Sequence, residues 1–332
     1  MKTCCFIVCY FGKLPRNMEI VLQTCEANSG FDWLLYTDDQ TEYSYPSNVH
    51  VEYLSFSAMR QKIQEKFDFE LCMDHPKKLC DFKPAYGYLF SDKLTEYEFW
   101  GYCDLDMYFG DLSKFITPDI LDQYEKIYSL GHMTLFRNTQ KNNELFMIPF
   151  YDHNAVIRSY KQIFQMPSGC CFDEWPMNQV NINVLTEQEK LPFYMGWPML
   201  DILPYRSYFV GSEYHGATHT WTKQDNKYHV VYYDGKHLFA CYKKAGTLIQ
   251  QEVLYAHLQK RTLIADKTVR GPFVIVPNRI LSGMLDTKHI LRLIAKQKFR
   301  AFWRIDELLH KWNGFVALWK HRIRKYILRK IV

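Results

Sequence analysis

The sequence predicts an α/β protein in which a mostly parallel sheet is flanked by helices and followed by a basic amphipathic helical tail. Short apolar runs alternate with segments of helical composition over residues 4–103, an order typical of parallel sheets with helices on their faces. Two carboxylates, Asp104 and Asp106, stand where the last of these runs ends. Residues 288–332 concentrate positive charge and repeat apolar residues at roughly helical spacing.

The elements before the two aspartates alternate in type. Apolar runs bounded by polar or charged residues predict buried strands over residues 4–10, 31–36, 49–54 and 99–103. Helical composition predicts helices over residues 17–28, 58–67 and 84–91, the last with Pro84 in its first turn. The intervening residues 71–82, rich in Cys, Asp, His, Pro and Lys, are expected to form a loop.

The second half of the sequence is less regular. Two further helices are predicted, over residues 118–129 and 174–185. Residues 193–255 are rich in β-forming side chains, and the dipeptide Asp234-Gly235 predicts a hairpin. Residues 254–258 are expected to form a last short strand.

Composition restricts the class of protein. With 332 residues, 48% of them hydrophobic, the chain can bury a sizeable core, and wholesale disorder is excluded. Among the cysteines, Cys4-Cys5 and Cys170-Cys171 are adjacent pairs, and no Cys-x-x-Cys pair occurs. These spacings argue against a disulfide framework or a zinc ribbon and favour the reducing cytosol. No apolar run reaches about 18 residues, so a membrane-spanning helix is not expected.

The tail is strongly basic. Residues 288–332 contain 13 Lys and Arg residues and two acids, a net charge of +11, whereas the whole chain carries +5. Basic amphipathic helices lie on anionic membrane surfaces, so we expect a cytoplasmic protein held peripherally on the inner face of the cell membrane. The alternative is a helix packed on the domain with its charges solvated. Nucleic acid is not an expected partner, because residues 1–287 are net acidic and no recognition motif occurs.

The spacing of Asp104 and Asp106 points to metal chemistry. Two carboxylates one residue apart at the end of a buried strand form a hard-oxygen pocket that suits Mn²⁺ or Mg²⁺, and such an ion can bridge to a diphosphate. Ligands of open α/β sheets bind outside the carboxyl ends of the strands. The alternative is a solvated turn.

The phrase around the two aspartates is similar to a known family. Tyr-Cys-Asp-Leu-Asp-Met-Tyr-Phe-Gly-Asp-Leu, residues 102–112, resembles GT-A-fold glycosyltransferases, above all bacterial enzymes that build capsule, O-antigen or lipooligosaccharide. In that family an Asp-x-Asp ends a strand, and Gly-Asp-Leu often follows. The resemblance covers about residues 3–261. It implies a GT-A-like catalytic domain over 1–287, with a nucleotide-binding half at about 1–112, an acceptor half at about 113–287, and the tail at 288–332.

The resemblance implies a metal site and a diphosphate contact. Asp104, Asp106 and a late histidine, His257, would hold the metal, and Lys260 and Arg261 would contact the diphosphate. The family usually has Gly and Lys-Pro after this histidine, where the present chain has Gln-Lys-Arg. The alternative for His257 is a structural histidine near a strand end.

The resemblance also implies nucleotide and donor contacts. The loop after the first strand, with Tyr10, Phe11 and Gly12, would hold the base and ribose. Asp38, after the second strand, would accept a hydrogen bond from uracil or another base, or else cap a turn. The pair Lys83 and Tyr86 would touch the donor sugar or its phosphate, the alternative being a solvated lysine.

Asp173 and Glu174 are the candidate catalytic residues. In the family, an acidic or amide group from a similar region reaches the reacting sugar or deprotonates the acceptor. The alternative is a capping acid before the helix predicted over 174–185.

Together these features predict a metal-dependent glycosyltransferase of the hexosyltransferase type. It would move a sugar from a nucleotide-sugar, a UDP-sugar being favoured, to a glycan or lipid-linked glycan in polysaccharide biosynthesis. The Gly-Asp-Leu phrase slightly favours retention of anomeric configuration. Two alternatives stay open, namely a sugar nucleotidyltransferase and a non-catalytic module that binds membrane surfaces.

Overall fold

The protein is a mixed α/β structure built from mixed sheets and helices. The computed structural model describes residues 2–196, 199–201, 208–215, 220–259, 263–265 and 269–302. The strands are β1 (Lys2–Tyr10), β2 (Phe31–Thr37), β3 (Val49–Tyr53), β4 (Tyr97–Cys103), β5 (Met107–Phe109), β6 (Lys126–Leu130), β7 (Met133–Arg137), β8 (Phe193–Tyr194), β9 (Met199–Asp201), β10 (Phe209–His215), β11 (Thr220–Tyr228), β12 (Val230–Tyr233), β13 (Leu238–Lys244), β14 (Thr247–Val253), β15 (Tyr255–His257), β16 (Ile264–Ala265), β17 (Phe273–Val276) and β18 (Arg279–Ser282).

The α-helices are mostly short. They are α1 (Met18–Glu26), α2 (Phe56–Gln64), α3 (Tyr86–Leu89), α4 (Leu112–Phe115), α5 (Pro118–Gln123), α6 (Gln140–Asn143), α7 (Tyr160–Gln165), α8 (Ile182–Gln188) and α9 (Thr287–Phe302). Three 3₁₀ segments accompany them, at Pro76–Ala85, Ser91–Lys93 and Leu145–Met147.

The first sheet has the strand order β3-β2-β1-β4-β7-β6-β8. Its first four strands are parallel, whereas β7 runs antiparallel to both β4 and β6. Every residue of β2 is buried, as expected when both faces of a parallel strand are covered. The α/β class and the strands predicted over the first half are therefore confirmed, with antiparallel pairing in the second half of the sheet.

The other two sheets are formed mainly by the second half of the chain. The second has the order β11-β10-β9-β15-β5, and the third β14-β13-β12-β17-β18-β16. The predicted hairpin at Asp234-Gly235 is confirmed, because β12 and β13 pair antiparallel around it. The strand predicted over residues 254–258 is confirmed as β15, but it is not the last, since β16, β17 and β18 follow.

Three local predictions were wrong. The helix predicted over 118–129 ends with α5, and the following residues form β6, because pairing with β7 overrides their helical composition. The helix predicted over 174–185 begins only at α8, since Pro176 and the positive φ of Asn178 (59°) interrupt it. The predicted loop over 71–82 contains the start of the 3₁₀ segment that runs into α3.

Helix α9 packs on the domain. Ile290 and Ile294 are buried against residues of the third sheet, including Val230 and Val274, while Lys288, Arg292, Lys296 and Lys298 are exposed. The alternative considered for the tail, a packed helix with solvated charges, therefore describes this part of it. Residues 303–332 lie outside the described residues. In the described part of the chain, no helix is long and apolar enough to cross a membrane.

Lys126 is a buried lysine in β6. Its side chain is fully buried, donates a hydrogen bond to Asn183 Oδ1 and lies 3.8 Å from the centre of the Phe193 ring. Burial holds the pKa of Lys126 well below its usual range, and the nearby Glu187 only partly offsets this. The lysine therefore favours its neutral form in the folded protein.

We predict that Lys126→Met removes a pH dependence of folding. Because its pKa is lower in the folded than in the unfolded state, Lys126 binds fewer protons when folded. Its burial therefore costs stability at low pH, and this cost disappears as the pH rises through the unfolded pKa of about 10.4. In urea unfolding at several pH values, the free energy of unfolding of wild type relative to the variant should rise by up to about 1.4 kcal/mol per unit of increasing pH. Exposed Lys66→Met is the control, and parallel pH curves for wild type and Lys126→Met would contradict the prediction.

Candidate functional site

Asp104 and Asp106 lie in the short connection between the first and second sheets. Strand β4 ends at Cys103, and the Asp104 backbone N–H donates to the carbonyl of His132 at 3.1 Å. Strand β5 then begins at Met107 in the second sheet. Because both flanking strands are buried and hydrogen-bonded, the two carboxylates are held at the junction of the sheets.

His257 reaches the two aspartates through strand pairing. Strand β15 runs antiparallel to β5, with His257 opposite Met107, and the Leu258 N–H donates to the carbonyl of Asp106 at 2.8 Å. His257 Nε2 lies 3.6 Å from Asp106 Oδ1. One ligand atom from each of Asp104, Asp106 and His257 lies within 4.8 Å of the others.

These three side chains fit a divalent cation chemically. Two carboxylates and an imidazole are donors that Mn²⁺ accepts readily, and Mg²⁺ accepts the carboxylates.

Asp201 is a site residue that the sequence did not indicate. Its strand, β9, lies parallel to β15 and places Asp201 opposite His257. Asp201 Oδ1 lies 3.2 Å from His257 Nδ1, and Oδ2 accepts a hydrogen bond from Gln259 at 2.6 Å. A carboxylate behind one ring nitrogen orients a histidine so that the other nitrogen faces a metal. No motif surrounds Asp201, and only the β9–β15 pairing reveals its place.

The carboxylates around His257 favour its charged form. Burial acts to lower the pKa of His257, but Asp106 and Asp201 outweigh it and raise this pKa to about 10. Without a cation the ring is therefore an imidazolium at neutral pH. Binding a metal through Nε2 requires that this proton leave.

Lys83 is buried between two candidate site carboxylates. Its Nζ donates to Asp104 Oδ1 and to the Gly131 carbonyl, both at 2.7 Å, and lies 3.4 Å from Asp173 Oδ2. The side chain is only 9% exposed, which excludes the alternative of a solvated lysine. A Cβ at position 131 would lie 2.4 Å from Asp173 Oδ2, so Gly131 leaves room for this carboxylate.

The two carboxylates beside Lys83 have pKa values shifted in opposite directions. Burial acts to raise the pKa of Asp104, but the nearby charge of Lys83, with a smaller contribution from His257, holds it below its usual value. Burial dominates at Asp173 and raises its pKa to about 7, with Lys83 only partly opposing. Asp173 can therefore accept or release a proton near neutral pH.

Asp173 and Glu174 occupy different environments. Asp173 is 4% exposed, and it does not cap α8, because Asn181 fills that position. Glu174 is exposed, and its backbone carbonyl accepts a hydrogen bond from Asn183 at 2.9 Å. The structure thus brings Asp173, but not the Glu174 carboxylate, to the Lys83 cluster.

A buried ion pair fixes the loop that carries Asp173. Lys78 Nζ lies 2.8 Å from Asp81 Oδ2 and donates to the carbonyl of Ser168. Asp81 in turn accepts the N–H groups of Cys170 and Phe172. Because every group is buried and bonded, removing one partner would leave an unpaired charge.

A cavity of about 530 Å³ opens beside the two aspartates, a volume typical of small-molecule sites. Six of the predicted donor and metal residues line it, namely Tyr10, Phe11, Lys83, Tyr86, Asp104 and Asp106. Its apolar lining includes Ile7, Val8, Val21, Leu258 and Leu263. Two exposed cations, Arg16 and Lys77, also line it. The sequence offered no signal for these two, since neither belongs to a recognisable motif.

Gly12 and Asp38, two of the predicted nucleotide contacts, are hydrogen-bonded to each other. Gly12 has φ +92°, and its N–H donates to Asp38 Oδ1 at 2.7 Å, so Asp38 braces the loop after β1. Neither residue is part of the cavity lining, and their contact with a base stays a prediction.

Lys260 and Arg261 lie outside the described residues. Tyr86 is buried, and its hydroxyl donates to the Leu79 carbonyl at 3.4 Å.

His132 is a second residue that the sequence did not indicate. It is 7% exposed, and its ring centre lies 4.2 Å from that of His257. Burial holds the pKa of His132 well below its usual range, and the neighbouring His257 adds to this effect. A neutral imidazole therefore stands beside the candidate metal ligands.

A family described as one of unknown function, DUF6625, matches residues 6–283. The chain belongs to this family. The DUF6625 match contains every site residue discussed above and ends before α9. No curated protein and no solved structure matches the chain.

We predict that Mn²⁺ binding strengthens with pH, because His257 must release its proton to bind the ion. With one proton displaced, the association constant should rise about tenfold per pH unit between about pH 6 and pH 8. Calorimetry in buffers of different protonation enthalpy would count the protons released. Asp201→Asn removes one carboxylate that raises the His257 pKa, so the Mn²⁺ affinity of this variant should change less with pH. A Mn²⁺ affinity that does not change with pH would contradict this role of His257.

Proposed function

We propose that the protein is a metal-dependent glycosyltransferase with a GT-A-like catalytic domain over residues 1–287. The observation that carries the proposal is the convergence of Asp104, Asp106 and His257 within 4.8 Å, beside a cavity of about 530 Å³. His257 is remote in sequence from the two aspartates, and a cavity of this size suits a nucleotide-sugar.

Different residues of the cavity would bind different parts of the donor. Tyr10 and Phe11 would contact the nucleoside, because aromatic rings stack on bases. Lys83, Arg16 and Lys77 would offset the diphosphate charge. A Mn²⁺ or Mg²⁺ ion held by Asp104, Asp106 and His257 would neutralise the charge that develops on the leaving diphosphate.

Asp173 is the candidate catalytic residue with the better-suited environment. In the proposed reaction the acceptor hydroxyl oxygen bonds to the anomeric carbon, the bond from that carbon to the diphosphate breaks, and the hydroxyl proton must leave. Asp173, with a pKa of about 7, can take this proton at neutral pH. Glu174, the other candidate catalytic residue, is exposed and stays the weaker candidate.

The stereochemical preference rests on the Gly-Asp-Leu phrase, which slightly favours retention of anomeric configuration. In the structure, Asp111 of this phrase caps α4 through Ser113 and lies 3.0 Å from Lys236 of the hairpin turn.

The donor and acceptor follow from the same resemblance. We favour a UDP-sugar as donor and a glycan or lipid-linked glycan as acceptor, as in polysaccharide biosynthesis. A lipid-linked acceptor fits a cytoplasmic enzyme held at the inner membrane face by its basic tail. The exposed cations of α9, Lys288, Arg292 and Lys296, and the thirteen basic residues of 288–332 support that location.

We predict that Asp106→Asn abolishes metal-dependent binding and turnover of UDP-sugars while leaving the fold intact. The amide keeps the shape of the side chain but removes the charge that holds a cation. Calorimetric titration of Mn²⁺ and UDP, with donor hydrolysis, measures both effects. Asp119→Asn, at an exposed position of α5, is the matched control.

The titration of Mn²⁺ and UDP, together with a pyrophosphate assay, distinguishes the proposed transferase from the two alternative functions. A membrane-surface module would show no metal-dependent UDP affinity, and a sugar nucleotidyltransferase would release pyrophosphate from a nucleoside triphosphate. Unchanged turnover in Asp106→Asn would remove the metal role.

We predict that deleting residues 303–332 shifts the protein from anionic vesicles to solution. The cut spares α9, whose Ile290 and Ile294 belong to the folded core, so the domain should remain folded. Sedimentation with phosphatidylglycerol vesicles measures the shift, and phosphatidylcholine vesicles control for charge. Equal sedimentation of the full and shortened chains would refute membrane attachment through the tail.

A further inference from the structure

A second cavity is lined by residues between positions 149 and 162. Its volume is about 660 Å³, and among the described residues it shares no lining residue with the cavity beside Asp104. The backbone N–H of Phe150 donates to the Arg158 carbonyl at 2.8 Å, and this bond closes the loop that lines the cavity. The lining combines apolar and polar side chains, among them Pro149, Phe150, Tyr151, His153, Arg158 and Gln162.

Three large apolar side chains are exposed on this loop or on the segment bonded to it. Tyr151 is 64% exposed, Val156 80% and Met177 87%. The Val156 N–H donates to the Asn178 carbonyl at 2.9 Å, so Val156 and Met177 lie on neighbouring segments of chain. Apolar side chains exposed singly are ordinary, whereas several on adjoining segments are typical of a binding surface.

The segment that carries Met177 also carries Asp173. It is closed near its ends, because the Ile182 N–H donates to the Phe172 carbonyl at 2.9 Å. Met177 is four residues from Asp173, so their Cα atoms lie at most about 15 Å apart. The exposed surface therefore starts within a few sugar rings of the proposed catalytic carboxylate.

The groups on this surface suit a neutral ligand with both apolar and hydroxyl-bearing faces. The exposed ring of Tyr151 can stack on apolar C–H groups. Arg158 Nη1 lies 3.5 Å from His153 Nδ1, and both side chains form hydrogen bonds with hydroxyl groups. Residues 149–158 contain one acid, Asp152, and one base, Arg158, so this loop has no excess charge to attract an anionic lipid or a nucleic acid. A carbohydrate has the chemistry that fits.

We propose that the second cavity, together with Tyr151, Val156, Arg158 and Met177, binds the carbohydrate chain of the acceptor. The reacting end of this chain lies beside Asp173, and the sugars behind it extend over Met177 into the cavity. The protein consequently prefers an oligosaccharide to a single sugar. This inference rests on the proposed transferase function and adds to it the place and the form of the acceptor.

Binding of the full chain to an array of hexose and N-acetylhexosamine glycans, from monosaccharides to hexasaccharides, tests the proposal. Wild type should bind at least one oligosaccharide more tightly than the corresponding monosaccharide. Tyr151→Ala and Arg158→Ala should each weaken that binding at least about tenfold, the loss typical of a Tyr or Arg at the centre of a binding surface. Both side chains are exposed, so neither change should disturb the fold.

Tyr53→Ala is the matched control, because Tyr53 is an exposed tyrosine of β3 and should leave glycan binding unchanged. Equal binding by wild type and Tyr151→Ala, or no binding of any glycan by wild type, would overturn the proposal.

The array is probed without Mn²⁺ or UDP, so its result is separate from that for the proposed function. Wild type that turns over UDP-sugars but binds none of the glycans would remove the acceptor surface and keep the transferase. Glycan binding that depends on Tyr151, in a protein without metal-dependent UDP affinity, would support the carbohydrate surface and remove the transferase.

Discussion

The antiparallel pairing of β5 with β15 is the constraint on which the candidate site depends. It joins the turn that carries Asp106 to the strand that ends at His257, and one backbone hydrogen bond of 2.8 Å, from Leu258 to Asp106, closes the junction. Side chains alternate between the faces of a strand, so a shift of one residue in this register would turn the imidazole away from the carboxylates. The parallel neighbour β9 then adds Asp201 behind the ring.

Buried cations organise the rest of the site. Lys83 draws Asp104 and Asp173 together from different parts of the chain, and the buried pair of Lys78 with Asp81 fixes the loop before Asp173. Taking such charges out of water is costly unless every group is paired and hydrogen-bonded. Several buried, paired charges beside one candidate site are more typical of a functional site than of a structural core.

The sequence predicted the parts of the fold that depend on local pattern. The four parallel strands and the Asp104–Asp106 turn follow from short apolar runs ending in charge. His257 was identified only through the family resemblance, and its contact with Asp106 depends on a pairing between strands far apart in sequence. Asp201 and His132 carry no local signal, because their place depends entirely on which strands become neighbours. The error over residues 118–129 has the same cause, since pairing with β7 decides the conformation.

Anomalous diffraction from crystals grown with Mn²⁺ and UDP tests the central claim most directly. The account predicts one manganese peak within about 2.3 Å of oxygen or nitrogen atoms of Asp104, Asp106 and His257, with UDP in the adjoining cavity. Nucleotide bound in the cavity without manganese at these residues, or manganese bound elsewhere on the protein, would contradict it.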